Sequence, residues 1–248
     1  MTSRAAVVGA GYRLDMPTAL RAGLAVLLLS AVVGCSSDAP APKPSEPTPA
    51  QRLASAKAKV DAAPSVHLVL GSKDLPGDVS GVVSADGWGK HPPAFKGTFQ
   101  VKVKGTTAGT EVVAVDGAVY AKLPFVAVFA KVDPASLGAP DPAQLFDPAV
   151  GITSLLTKTV NPTVGAQQRK GTEVVLPISG TLEGAAVPGV LKTGQSGTYQ
   201  VVYGIVDQGD KAGELRTVEL TGPFFGATPS TYTLTLDRYG EPVDIVKP

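Results

Sequence analysis

The residue types suited to chemistry are few in this 248-residue chain: two histidines, His67 and His91, and a single cysteine, Cys35. A hydrolytic zinc needs ligands spaced as in HExxH or paired cysteines, and neither histidine has such neighbours. A serine hydrolase of the elbow type carries GxSxG, whereas Gly194-Gln195-Ser196-Gly197 misses that spacing by one residue. No glycine-rich loop ends in GK[ST], so nothing is shaped to cradle phosphates. The stretch VVGAGYRLD, from Val7 to Asp15, opens like a dinucleotide-binding loop but lacks the third glycine. Carboxylates stand singly at turns and helix starts rather than in pairs. The chain reads as a non-enzyme that needs neither cofactor nor metal.

Cys35 is the exception, and its surroundings give it a role. Ala22 to Val33 is an uncharged apolar run preceded by Arg21. It is shorter than the roughly 20 residues of a permanent membrane span and matches the core of a secretory signal. The tetrad Val32-Val33-Gly34-Cys35 resembles the lipobox of bacterial lipoproteins. That resemblance implies a signal peptide over residues 1–34, cut so that Cys35 becomes the N-terminus. Cys35 would then be a diacylglyceryl cysteine, carrying palmitate-like chains as a membrane anchor. Met16 begins a compact signal by itself, so it is the expected start of translation.

Behind the cysteine, Pro40, Pro42, Pro44, Pro47 and Pro49 alternate with Ala, Ser and Lys. Such a stretch cannot bury a core and favours polyproline II. Residues 35–50 therefore read as the anchor and a semi-rigid tether, and 51–248 as one domain. The expected location is the outer face of the cell membrane, with the domain projecting into the envelope. Removing residues 1–34 takes Arg4, Arg13, Arg21 and Asp15 from 22 basic and 21 acidic residues. The remainder is close to neutral, which argues against a nucleic-acid partner and gives no polybasic patch for anionic lipids.

The elements follow from periodicity. PAQRLASAKAKV places Leu53, Ala56 and Val60 on one helical stripe, with Pro49 at the first position after Thr48. VHLVLGSKD and GDVSGVVSADGWG read as strands divided by Pro76-Gly77. In FKGTFQVKVKG, Phe95, Gly97, Phe99, Val101 and Val103 share one face, opposite Lys96, Thr98, Gln100, Lys102 and Lys104. TEVVAVDGAVYAKL is a hairpin turning at Asp116-Gly117. Three Asp-Pro pairs, at 133–134, 141–142 and 147–148, predict helix starts, with short helices at 142–146 and 148–158. The second would carry Val150, Ile152, Leu155 and Leu156. GTEVVLPISGTL, GTYQVVYGIVDQ, LRTVELTG and STYTLTLDRYGEPVDIV return to period two. The sum is α+β, a largely antiparallel sheet with helices on one face.

Hydrophobic residues make up 44% of the chain but aromatics only 6%. The apolar mass is thus Val, Ala and Leu, which either packs tightly or leaves a cavity. Periodicity does not choose between these.

AFKGTFQVKVKG, EVVAVDGAVYAKLPF, DPAQLFDPAVGITSLL and the closing YGEPVDIVKP occur in order over about residues 50–248. Together they resemble the LppX/LprAFG family of actinobacterial cell-envelope lipoproteins. The stretch from Leu123-Pro124-Phe125 to Phe129 differs from the family member that the chain most resembles. The resemblance implies an antiparallel half-barrel cupping a few helices around an apolar cavity, similar to lipoprotein carriers of the Lol type. It implies binding of multi-acylated lipids or glycolipids in that cavity and their transfer across the envelope, with a membrane exporter as a further partner. The cavity wall expected from it is Phe99 at the mouth, Val101, Val119, Ala121 and Leu123. Ile152, Leu155 and Leu156 form the helical part, and Tyr232, Leu234 and Leu236 the last strand. The alternative is an envelope scaffold or adaptor that partners a transporter, with a filled core and no lipid cargo.

Overall fold

A computed structural model describes residues 46–103, 105–123, 126–137, 139–187 and 196–248. The signal segment, Cys35, the tether as far as residue 45, Lys104, Pro124, Phe125, Gly194 and Gln195 lie outside the described residues. Residues 45–248 form a compact unit by themselves and hold the hydrophobic clusters described below.

The unit opens with helix α1 (Pro49–Ala62), whose start is set by a reciprocal cap. The Thr48 hydroxyl accepts from the Gln51 N–H at 3.2 Å, and the Gln51 side chain accepts from the Thr48 N–H at 2.8 Å. Leu53, Ala56 and Val60 are its buried stripe. Strands β1 (Ser65–Lys73), β2 (Gly81–Lys90), β3 (Ala94–Val103), β4 (Thr106–Val115), β5 (Ala118–Lys122) and β6 (Ala130–Val132) follow as an antiparallel meander. The β4–β5 turn has Asp116 and Gly117 both at positive φ, 52° and 69°, the geometry that matches strand twist in a two-residue hairpin.

A helical segment comes next. It holds single-turn 3-10 helices at Pro134–Leu137 and Pro142–Phe146, then helix α2 (Ile152–Lys158). The expected helix over 148–158 is shorter by four residues. Asp147 spends one carboxylate oxygen on the Ala149 and Val150 amides, and its carbonyl accepts from the Gly151 N–H at 2.8 Å. Those bonds close a turn instead of starting a helix. At Gly151 any Cβ would collide with the carbonyls of Gln144, Leu145 and Asp147. Val150 is accordingly exposed, not on the apolar stripe.

Strands β7 (Val160–Val164), β8 (Gln168–Lys170), β9 (Glu173–Glu183), β10 (Thr198–Val206), β11 (Leu215–Gly222) and β12 (Ser230–Asp237) complete one curved, open, antiparallel sheet of 12 strands. Its order is β6-β5-β4-β3-β2-β1-β12-β11-β10-β9-β7, with β8 also on β9. The first and last long strands therefore pair at the centre, His67 opposite Asp237 and Leu70 opposite Leu234. The last strand stops at Asp237, short of the strand-like pattern that continues to Val246. Residues beyond it cross the outer face as a strap. Ser65 Oγ donates to the Glu241 carbonyl at 2.5 Å, and Val243 and Ile245 pack with Ala94, Trp88, Val113 and Phe129.

Polar groups buried in this frame tie strands together. His67 lies between Asp237, 2.7 Å from Nδ1, and Asp86, 3.0 Å from Nε2, with its ring against Trp88. His91 holds the Ala63 carbonyl at 2.8 Å. Arg216 makes a fork on Glu173 at 2.7 and 2.8 Å and reaches Glu214 and the Leu236 carbonyl. Burial alone would lower the Arg216 guanidinium, but these carboxylates outweigh it and raise it.

Beneath the helical segment, the Phe146 ring lies flat on β2 where Gly89 has no side chain, and a Cβ there would overlap the ring. Phe146 is 4% exposed, so it has nowhere to retreat. Gly89→Val is expected to cost about 1–3 kcal/mol as overpacking. At ~2–4 °C per kcal/mol for a domain of this size, calorimetry should show a midpoint lowered by several degrees.

Candidate functional site

The inner face of the sheet is filled on one side and open on the other. Toward β9 and β10, helix α1 covers a core that includes Tyr199, Tyr203, Ile178 and Leu182. Arg52 of α1 reaches Asp207 at 3.2 Å and Lys59 reaches the Ala212 carbonyl at 2.7 Å, fixing the helix there. A polar knot joins α1 to the start of α2. Lys57 bonds Asp61 at 2.7 Å and the Pro148 carbonyl at 2.6 Å, and Thr153 donates to Asp61 at 2.7 Å.

On the other side, over β1 to β5, neither α-helix reaches the sheet fully and a cavity of about 200 Å³ remains. Its floor is the inward side chains of β1 to β6, β11 and β12. Its cover is Pro134, Ala139, Pro140, Pro142 and Leu145 from the helical segment, with Ile152 and Leu155 from α2. Deep walls are closed, with Leu68 and Leu155 each 1% exposed, whereas Leu123 at the rim is 52% exposed. Val101, Ala108 and Thr110 are half-buried beside it. The cavity thus runs from the α2 wall to a mouth at the free ends of β3, β4 and β5.

Only two lining side chains among the described residues carry a polar atom, Thr110 and Tyr232. The Thr110 hydroxyl donates to the Lys122 carbonyl at 3.1 Å, and the Tyr232 hydroxyl donates to the Val82 carbonyl at 3.0 Å. Both donors are spent on backbone. A guest finds hydrocarbon on every wall, and a cavity so lined stays dry and accepts apolar molecules. Burial pushes the Tyr232 phenol up to about 12 from 10. It therefore keeps its proton, and its bond to Val82, through the neutral range.

Of the expected wall residues, Phe99, Val101, Val119, Ala121, Leu123, Ile152, Leu155, Tyr232 and Leu234 all line this space. Leu156 and Leu236 do not. Leu156 follows Leu155 by about 100° of helix turn and is 2% exposed in the filled core. Leu236 lies one inward position beyond Leu234, also in that core at 1%. β1, β2 and β11 also contribute wall residues beyond those expected, Leu70, Val82 and Val218 among them. The alternation in VHLVL and LRTVEL carries the signal for Leu70 and Val218, whereas a register shift between Val82 and Ser84 interrupts it on β2. Of the cover prolines, Pro134 and Pro142 carry a sequence signal for helix starts and Pro140 carries none.

The curved antiparallel sheet with its few helices has known relatives. The sequence model for the LppX_LprAFG lipoproteins matches residues 48–245. The chain belongs to the LppX_LprAFG lipoprotein family. Among solved structures it is similar to LprF from Mycobacterium bovis, at TM-score 0.68 and 20% identity, covering 82% of this chain and 98% of that one. It is also similar to the lipoprotein LppX from Mycobacterium tuberculosis, at TM-score 0.60 and 19% identity, covering 82% of this chain and 100% of that one. At those identities the likeness concerns the fold. No curated protein matches the chain by sequence. Among the described residues no helix is long and apolar enough to cross a membrane, and no group of three His, Cys, Asp or Glu is placed to hold a metal ion.

Because no described wall residue titrates near neutrality, a neutral apolar dye such as Nile red is expected to bind with affinity that varies less than about twofold between pH 5 and 9, read by fluorescence titration. Tyr232 acts on stability at higher pH. Its phenol in the unfolded chain ionises near 10 while the folded one holds its proton to about 12. Across that window the folded state binds more protons, so stability falls as pH rises, and melting midpoints should drop between pH 10 and 12.

Proposed function

We propose that this protein is a membrane-tethered carrier that takes the acyl chains of a lipid into its cavity and moves the lipid across the cell envelope. The observation that supports this most is the wall itself: its two hydroxyls are already bonded to backbone, so the site offers apolar contact alone. Family membership supports multi-acylated lipids or glycolipids as the cargo class, with an exporter as a partner. Cys35, with two acyl chains, would supply a stable anchor where one would not.

The energetics favour such a device. An acyl chain exposed to water costs about 0.8 kcal/mol per methylene. About 45 methylenes from three chains would therefore cost on the order of 35 kcal/mol. A hydrocarbon-lined cavity offsets that cost for each methylene it encloses, which brings exchange with the bilayer toward balance. Near-balance is what permits both loading and release.

Phe99 tests the reading because it is half-buried, lines the cavity and sets its ring 5.4 Å from that of Phe95, tilted by 53°. Native mass spectrometry of residues 45–248, purified from an actinobacterial host, should show adducts with the mass of two- or three-chain lipids. In Phe99→Trp the larger ring should cut occupancy to less than half while the melting midpoint stays within a few degrees. A clean apo mass under gentle ionisation, with nothing extractable, would sink the carrier reading and leave the adaptor.

A further inference from the structure

The chain between β5 and β6 exposes apolar side chains where the cavity opens. From Leu123 to Ala130 the sequence has no charged residue. Leu123 is 52% exposed, Val126 41% and Val128 67%. The segment is nonetheless held at both ends. The Val126 N–H donates to the Leu123 carbonyl at 3.1 Å, Phe129 packs in the outer cluster with Trp88 and Val113, and Ala130 pairs with Ala121. Leu123 belongs at once to this exposed segment and to the cavity wall. Leu123, Val126 and Ala127 border one surface hollow, with exposed Val128 next in the chain, and apolar side chains gathered in this way mark an interaction site.

We propose that Leu123, Val126 and Val128 form a wedge that enters the hydrocarbon boundary of a lipid bilayer and sets the cavity mouth against the membrane. Three features select a bilayer as the occupant. The wedge is continuous with a hydrocarbon-lined space, so a lipid passing between bilayer and cavity there never crosses water. Charges flanking it nearly cancel: Lys122 pairs with Glu111 at 3.3 Å, and exposed Lys131 is two residues from Asp133, whose carboxylate caps the Ala135 amide. The contact is therefore apolar rather than electrostatic. Finally, 13 residues separate Cys35 from Pro49 at the start of α1. Extended at ~3.1 Å each they reach ~40 Å, comparable with the width of a domain whose radius of gyration is about 17 Å. A chain anchored at Cys35 can bring any of its faces to the membrane that holds it.

The test is flotation of residues 45–248, which lack the anchor, with vesicles of phosphatidylcholine and phosphatidylglycerol at 0.1 and 1 M NaCl, both chosen around the ~10 and ~3 Å screening lengths. The wild type should float at both salt concentrations. Val126→Asp combined with Val128→Asp should weaken flotation at least about tenfold, with the melting midpoint unchanged because both positions are exposed. In Val128→Trp, brominated lipid should quench fluorescence beyond the level seen for Trp88 alone. Equal flotation of the double variant, absence of wild-type flotation, loss at 1 M NaCl or lack of extra quenching would each overturn the wedge. The inference goes beyond the carrier reading, since flotation reports the wedge and adduct mass reports the cargo, and either can fail alone.

Discussion

The inner face of the sheet is wider than the helices that must cover it. Eleven strands side by side at ~4.8 Å span roughly 50 Å of arc. The two α-helices, of 14 and 7 residues, are each about 10 Å across. Cover is therefore short of floor, and the shortage is placed on one side. Arg52 and Lys59 hold α1 over the β9–β11 half, where tyrosines complete a filled core. The rest is roofed by a single-turn helix, prolines and α2. What is left between is the cavity, which arises from the ratio of sheet to helix rather than from any one residue.

The same economy appears on the outer face. A sheet open to solvent on that side would expose Trp88, Val113 and Val115, and the C-terminal strap covers them with Val243 and Ile245. The buried polar groups are fully engaged, as no buried side-chain nitrogen or oxygen among the described residues lacks a partner. His67 with two carboxylates, Arg216 with two more and the Lys57–Asp61–Thr153 knot all join elements distant in sequence. The two histidines, residues of a type suited to chemistry, are occupied in holding strands and helices in place.

Local pattern made most elements legible because their signals are short-range. The Thr48–Gln51 cap, the Asp116-Gly117 turn and the alternation around Phe99 each act within a few residues, and each survives folding. Partner choice does not. Nothing near His67 announces Asp237, 170 residues away, so the central β1–β12 pairing could not be read. The helix expected over 148–158 is too long because an Asp-Pro start looks alike whether it caps a helix or closes a turn, and the Gln144, Leu145 and Asp147 carbonyls that crowd Gly151 meet it only once the preceding turn has formed. Short edge strands such as β6 and β8 have three residues each, too few for a period to show. On the cavity wall, the resemblance to the family implied strand positions that line the cavity as far as Leu234. It did not indicate how far along a strand the filled core extends, which is why Leu236 was placed one step too far.

The position of β1 at the middle of the sheet has a consequence for how the chain comes to exist. Emerging N-terminus first, β1 can pair with β2 early, but its other edge stays unsatisfied until residues near 237 arrive. Closure of so long a loop is slow, as expected for a topology dominated by distant pairings. For most of its emergence the polypeptide is therefore a half-sheet with a bare central edge, unable to lock.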